Sequence, residues 1–145
     1  MQWTDELIGR HSAPRVHHID RCALQQFSCA IGLTYPPYCD TESALQAGYP
    51  DVIAPPTFPF TLAANTIPGI DMPAAGIIHG EQDFEYGAPI AAGDHISVVS
   101  SIHALKRRAN MVFLTIRTVG TNQRDEEVFV SQSLLLINTS TQEVG

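Results

Sequence analysis

Basic residues are few in this chain, with 8 Lys and Arg against 15 Asp and Glu and a formal net charge of −7. They are scattered, and only Lys106, Arg107 and Arg108 adjoin, where they suit a hairpin turn. An acidic chain without a basic stripe makes a poor nucleic-acid binder, because that affinity rests on neutralising phosphates. Long apolar runs are also missing. No stretch approaches the roughly 18 residues that cross a bilayer, which argues against a membrane protein. The opening MQWTDELIGRH lacks the basic-then-apolar order of a secretory signal. Cysteine is sparse: Cys22, Cys29 and Cys39 are odd in number and have no metal-type spacing. On one helix, Cys22 and Cys29 would share a face about two turns apart, too far to bridge. Free thiols in a reducing cytoplasm are the expectation. The chain has no repeat, no low-complexity tract, no phosphate-cradling glycine loop and no nucleotide motif, so neither a metal nor another cofactor is expected.

What is present describes one domain over residues 1–145, with 1–14 as a loosely ordered lead-in. Residues 16–19 suit a short strand. Asp20 is a fit N-cap for a helix in which Leu24, Phe27 and Ile31 recur at helical spacing, and Gly32 fits its C′ position. Tyr35-Pro36-Pro37 reads as irregular, since proline lacks an amide hydrogen and restricts its predecessor. Asp40 can cap a second helix over 41–47, closed by Gly48. Thr57 can cap a third over 57–67, with Pro59 tolerated in the first turn. Phe58, Phe60, Leu62, Ala63, Ala64 and Ile67 leave that helix almost no polar face, which predicts burial.

The second half reads as strands at 77–85, 95–105, 111–120 and 127–138, rich in Val, Ile, Thr and Phe and separated by polar turns. In the last, Val128, Val130, Leu134 and Leu136 share one face and Phe129, Leu135 and Ile137 the other. Both faces are apolar enough to want cover, from the helix on one side and a partner on the other. Long antiparallel strands around a buried helix describe an α+β layer.

Three motifs sharpen this. They are Gly32-Leu33-Thr34-Tyr35-Pro36-Pro37-Tyr38-Cys39-Asp40, then Ala54-Pro55-Pro56-Thr57-Phe58, then His79-Gly80-Glu81-Gln82-Asp83-Phe84-Glu85-Tyr86 followed by Pro89 and Gly93-Asp94. In this order, over roughly residues 5–138, the chain resembles the MaoC-like (R)-specific enoyl hydratase/3-hydroxyacyl dehydratase family, in its N-terminal, fatty-acid-synthase-type branch. The resemblance implies a single hot-dog fold, a curved antiparallel sheet wrapped around a buried central helix. It also implies addition of water to enoyl thioesters, or its removal from 3-hydroxyacyl thioesters, on coenzyme A or acyl carrier protein. Active members carry Gly-Asp-x-Asn-Pro-x-His-x-Asp at the first motif. Gly32, Pro36 and Asp40 keep that frame, but Leu33 stands at the acid position and Tyr38 at the histidine position.

The chemistry requires a base, an acid and amide donors for the thioester oxygen. Pro56-Thr57-Phe58 suits the donor role at a helix start, with Thr57 and Phe58 supplying amides; equally, Thr57 serves only as a cap. The base and acid are missing. Leu33 carries no proton, and a neutral phenol with a pKa near 10 is a poor base at pH 7. The fallback candidates are His79, otherwise an ordinary strand histidine, and Asp40, otherwise a helix cap. Cys39 is read as an inert thiol. Tyr35 and Tyr38 either line an acyl channel or simply pack, and Gly80 joins His79 as a substrate-side candidate. His17 and His18 would point to opposite strand faces, which disqualifies them as joint metal ligands. His11, His95 and His103 read as surface residues.

Three functions compete. One is an acyl-binding subunit that relies on a catalytic MaoC-like partner. Another is a stand-alone hydro-lyase or thioesterase with rearranged residues, although a thioesterase is weakened by the lack of Asp or Glu over 57–67. The third is a non-catalytic binding module. Partners would be the thioester and a second hot-dog chain, the same or different.

Overall fold

Alternation in the second half of the chain builds the sheet. In the computed structural model, which describes residues 3–142, five strands form one antiparallel sheet: β1 (Arg15–His18), β2 (Ile77–Tyr86), β3 (His95–Arg108), β4 (Met111–Thr121) and β5 (Glu127–Asn138), in the order β1-β3-β4-β5-β2. Along β3, Ile96, Val98, Ser100 and Ile102 turn inward at period two. The pattern then slips at a bulge between Ile102 and Ala104, so that Leu105 is the next buried residue. A second bulge leaves Gly80 unpaired between His79 and Glu81, and a third interrupts the β4–β5 ladder after Gly120. Such extra residues bend a strand and tighten its twist, which curves the sheet. The strands run slightly longer than the sequence pattern indicates. Lys106, Arg107 and Arg108 belong to β3 itself, and the turn falls at Ala109, whose φ is 53°.

Three helices lie between β1 and β2: α1 (Arg21–Ala30), α2 (Pro36–Cys39) and α3 (Thr41–Gln46). α1 and α3 end alike. Gly32 takes φ 76°, its amide reaches Cys29 O at 3.1 Å, and the Leu33 amide reaches Ser28 O at 2.9 Å. Gly48 takes φ 94°, its amide reaches Leu45 O at 3.1 Å, and Tyr49 reaches Ala44 O at 2.9 Å. These are paired Schellman closures, and the left-handed residue favours glycine in both. Asp20 stands at the N-cap of α1 but makes no side-chain cap bond. Tyr35-Pro36-Pro37 is not irregular as expected. The two prolines open α2 from its first turn, where their missing amide hydrogens cost nothing.

The long central helix expected over 57–67 does not form. A single 3-10 turn, Phe58–Thr61, stands in its place. Its amides bond three residues back: Phe58 to Pro55 O at 3.0 Å, Phe60 to Thr57 O at 3.1 Å and Leu62 to Pro59 O at 3.1 Å. Leu62 then leaves helical space at φ −87°, ψ 83°, and Pro68-Gly69 bars any restart. Phe60, expected to be buried, is 61% exposed. The inner face of the sheet is covered instead by α1 and by the irregular run from Val52 to Ile70. Leu24, Phe58 and Leu62 pack with Ile96, Val98 and Phe129, while Ile67 and Ile70 pack with Ile102, Leu114 and Ile137. The α+β, hot-dog arrangement therefore stands, with its filling supplied mostly by turns.

Residues 3–14 are not a loose lead-in either. Trp3 and Leu7, four apart and each 5% exposed, anchor a 3-10 turn (Asp5–Leu7) in the second core cluster. Backbone bonds from Gly9 and Ser12 to β3, at 2.9 and 2.8 Å, then stitch the segment to the sheet. Two apolar anchors in a polar run leave too weak a periodicity to read in advance.

Gly120 faces Phe129 across the β4–β5 ladder, and a Cβ there would press into the buried Phe129 ring. Gly120→Ala should therefore cost about 1–3 kcal/mol by overpacking. Urea denaturation should show Gly120→Ala/Phe129→Leu losing less than the two single changes summed; strict additivity would contradict the contact.

Candidate functional site

α2, the bridge segment after α3 and the start of the loop after β2 converge on one small hollow. Ile53 pairs with Ala91 in an isolated bridge, flanked by Ala54 N to Ile90 O and Ala92 N to Val52 O, both at 2.8 Å. The Ile53 amide also reaches Pro37 O at 3.2 Å, which ties α2 to this floor. Phe27 of α1 meets Phe58 edge-on at 5.4 Å between ring centres and steadies the 3-10 turn. The resulting cavity of about 210 Å³ is lined by Tyr38, Tyr49 and Tyr86 on a bed of Pro55, Pro56, Pro59 and aliphatic residues.

Phenols dominate its chemistry. The Tyr86 hydroxyl donates to Pro56 O at 2.6 Å and pins the end of β2 to the turn. Tyr35 stands edge-on to Tyr38 at 5.0 Å, and Phe84 stacks on Tyr86 at 5.9 Å. All four tyrosines of the chain gather at or beside the hollow. Partial burial, then the neighbouring phenols of Tyr35 and Tyr49, raise the Tyr38 pKa. Burial, then Tyr38, raises that of Tyr86. Both groups are thus held more firmly as neutral hydrogen-bond donors than a free tyrosine is. Among the described residues, no carboxylate or imidazole lines the cavity.

The residues expected from sequence are partly brought together. Tyr38 and Pro56 line the hollow; Thr57 and Phe58 follow in the chain but do not line it, and Phe58 is buried in the first core cluster. Leu33 closes α1 as the second residue past its C-cap. Asp40 caps α3, its Oδ2 accepting from Ser43 N at 3.0 Å and Ser43 Oγ at 2.7 Å. That hydroxyl, followed by the Ser43 amide, holds the Asp40 carboxyl below the usual range, which suits a cap and not a base. His79 lies on β2 next to the Gly80 bulge, edge-on to exposed Phe60 at 5.6 Å, and does not line the cavity. Gly80 is backed by Leu136, whose Cδ1 lies 2.6 Å from where a Cβ would stand. The expected pair of amide donors is reduced. The Phe58 amide is spent on Pro55 O, and Thr57 makes no side-chain cap bond. Sequence reasoning missed Tyr49 and Tyr86. The only signal was the Phe84-x-Tyr86 alternation, which puts both rings on one face of β2.

Among the remaining candidates, Cys22, Cys29 and Cys39 are exposed free thiols. His17 Nε2 bonds Ala63 O at 2.7 Å, whereas His18 packs on His95 across β1 and β3 at 4.2 Å. Among the described residues no group of three or more His, Cys, Asp or Glu could hold a metal ion. No described helix is long and apolar enough to cross a membrane.

Comparison with known proteins agrees with this fold. The family described as "FAS1-like, dehydratase domain region" matches residues 6–131. A UPF0336 protein of Streptomyces coelicolor is 34% identical over 143 residues, covering 94% of this chain and 95% of that protein. Among solved structures, a chain of the HadBC (3R-hydroxyacyl-ACP dehydratase) complex of Mycobacterium tuberculosis superposes with a TM-score of 0.77 at 23% identity, covering 92% of this chain and 98% of that one. A chain of the ChsH1-ChsH2 complex of the same organism gives 0.71 at 14% identity, covering 90% and 97%. These structures share the hot-dog fold.

The raised phenol pKa values set a pH dependence. A group whose folded pKa exceeds its unfolded value stabilises the fold fully below the unfolded pKa, about 10 for tyrosine, and that contribution is lost as pH rises through the folded value. Ultraviolet titration of tyrosinate should show two phenols ionising later than the ordinary range. Tyr38→Phe should remove one and shift Tyr86 back toward it. Four indistinguishable, ordinary tyrosines would contradict the site as described.

Proposed function

The chain belongs to the family of FAS1-like dehydratase-region proteins, and we propose that it is the acyl-binding subunit of a two-chain hydratase/dehydratase acting on enoyl and 3-hydroxyacyl thioesters of coenzyme A or acyl carrier protein. The observation that carries this reading is the lining of the cavity: three phenols on a proline bed with, among the described residues, no carboxylate or imidazole. Moving a proton to or from substrate by a well-placed acid or base is typically worth 10²- to 10⁴-fold, about 3–5 kcal/mol of barrier. Leu33 and Tyr38 cannot supply it. Asp40 is occupied as a cap and His79 stands outside the hollow.

Two further features favour borrowing from a neighbour. A cavity of about 210 Å³ is smaller than the roughly 300–1,000 Å³ of a complete small-molecule site. A second chain laid beside it would extend the walls. The two mycobacterial relatives in fold bear the names of complexes, one of them a 3R-hydroxyacyl-ACP dehydratase. In this assignment Tyr38, Tyr86 and the Pro56-Thr57-Phe58 turn shape and hold the thioester arm, and the partner brings the acid and histidine.

The test is reconstitution. The purified chain should hydrate crotonyl-CoA and longer enoyl-CoAs negligibly, and a hot-dog partner with an intact Asp/His pair should restore turnover. The hydration rate is followed by loss of enoyl absorbance. Strong turnover by this chain alone would overturn the proposal. So would full activity of the partner alone, unchanged by this chain.

A further inference from the structure

The two edges of the sheet are treated differently by the fold. On the β1 side, His17 bonds Ala63 O at 2.7 Å, and Asn65 Nδ2 bonds Pro14 O and Ala13 O at 3.1 and 3.3 Å, so the chain covers its own edge. On the other side β2, ten residues long, pairs only with β5, and among the described residues no other strand reaches it. An open strand of this length is a template for pairing with another chain. Ile78, 61% exposed, and Tyr86, 55% exposed, mark its two ends with apolar surface.

The side chains of β2 decide which chain it can accept. Glu81, Asp83 and Glu85 alternate along it and share its outer face, where Asp83 and Glu85 meet Gln132 and Arg117 in one shallow depression. No Lys or Arg lies on β2. Arg117 sits two strands in, and among the described residues it forms no ion pair within 4.0 Å. If a second copy paired antiparallel about a two-fold axis, with the core faces on the same side, its carboxylates would fall on the same outer face. Centred on Asp83, Glu81 would oppose Glu85 and Asp83 its own counterpart. Like charges placed opposite across strands are destabilising, and opposite charges favourable.

We propose that the open edge of β2 is a seam that rejects a second copy of this chain and accepts a hot-dog chain whose edge strand carries Lys or Arg on the outer face. This rests on the two-chain reading above and adds the rule by which the partner is chosen. The carboxylate row acts as a discriminating element against self-pairing, and the apolar ends and free backbone supply the common adhesion.

The full-length chain can test this with a charge-reversed copy of itself as the probe, Glu81→Lys/Asp83→Lys/Glu85→Lys. Sedimentation equilibrium should show the mixture of wild type and probe associating at least about tenfold more tightly than either alone at low salt. High salt should erase that advantage by screening. The neutral variant Glu81→Gln/Asp83→Asn/Glu85→Gln keeps the test valid if the reversed chain folds poorly, and it should self-associate more tightly than wild type. Equal association in all pairings, or a neutral variant identical to wild type, would overturn the seam. The readout is mass, not turnover. A selective seam whose complexes never process a thioester would sink the dehydratase reading alone, whereas active complexes formed without charge selectivity would sink the seam alone.

Discussion

Everything in this molecule follows from how the inner face of its sheet is covered without a long helix. Ile96, Val98, Leu114, Phe129 and Ile137 are each at most 1% exposed and need an apolar lid. Burying such a side chain is worth roughly 1.5–3 kcal/mol, so the sheet cannot stand uncovered. The residues that supply the lid are interrupted by Pro55, Pro56, Pro59 and Pro68. Proline removes amide donors and blocks helix propagation. The lid is therefore a sequence of turns anchored by Phe58, Leu62, Ile67 and Ile70. Because it is a turn, Pro56 presents a carbonyl outward, and Tyr86 at the end of the edge strand can bond it. The proline bed and its tyrosine ring are one consequence of that covering.

The strands were legible because their signal is local. Period-two alternation with β-branched residues survives even where bulges shift its phase, as at His103 and Gly80. The end of α1 and the whole of α3 were legible for the same reason, since a left-handed glycine or an aspartate cap acts within a few residues. The expected central helix does not form because apolar content is not helical periodicity. Phe58, Phe60 and Leu62 are apolar at every angle, yet Phe60 faces out once Pro59 sets a 3-10 turn. Tyr49 and Tyr86 escaped notice because their convergence depends on a bridge between Ile53 and Ala91, thirty-eight residues apart, which no local pattern encodes. The reading of Leu33 and Tyr38 as replaced acid and histidine positions rests on the family resemblance alone, since nothing intrinsic marks an absent acid.

The site and the edge strand belong to one design. Tyr86 closes the cavity with its hydroxyl while its backbone ends the strand that lies open at the sheet edge. A chain docked on β2 would thus sit beside the phenol-lined hollow, which among the described residues has no carboxylate or imidazole in its lining. On the proposed two-chain reading, the small cavity and the open edge would serve one assembly, and the carboxylates on β2 would bear on which neighbour it accepts.

The central claim is that this chain would contribute surface, and not proton transfer, to the proposed reaction. It is tested most directly by a crystal structure of the chain with a non-reactive enoyl thioester analogue. The account predicts the acyl arm between Tyr38 and the Pro56 turn, with no carboxylate or imidazole of this chain within hydrogen-bond reach of the double bond. An ordered His79 or Asp40 pointed at the reacting carbons would contradict it.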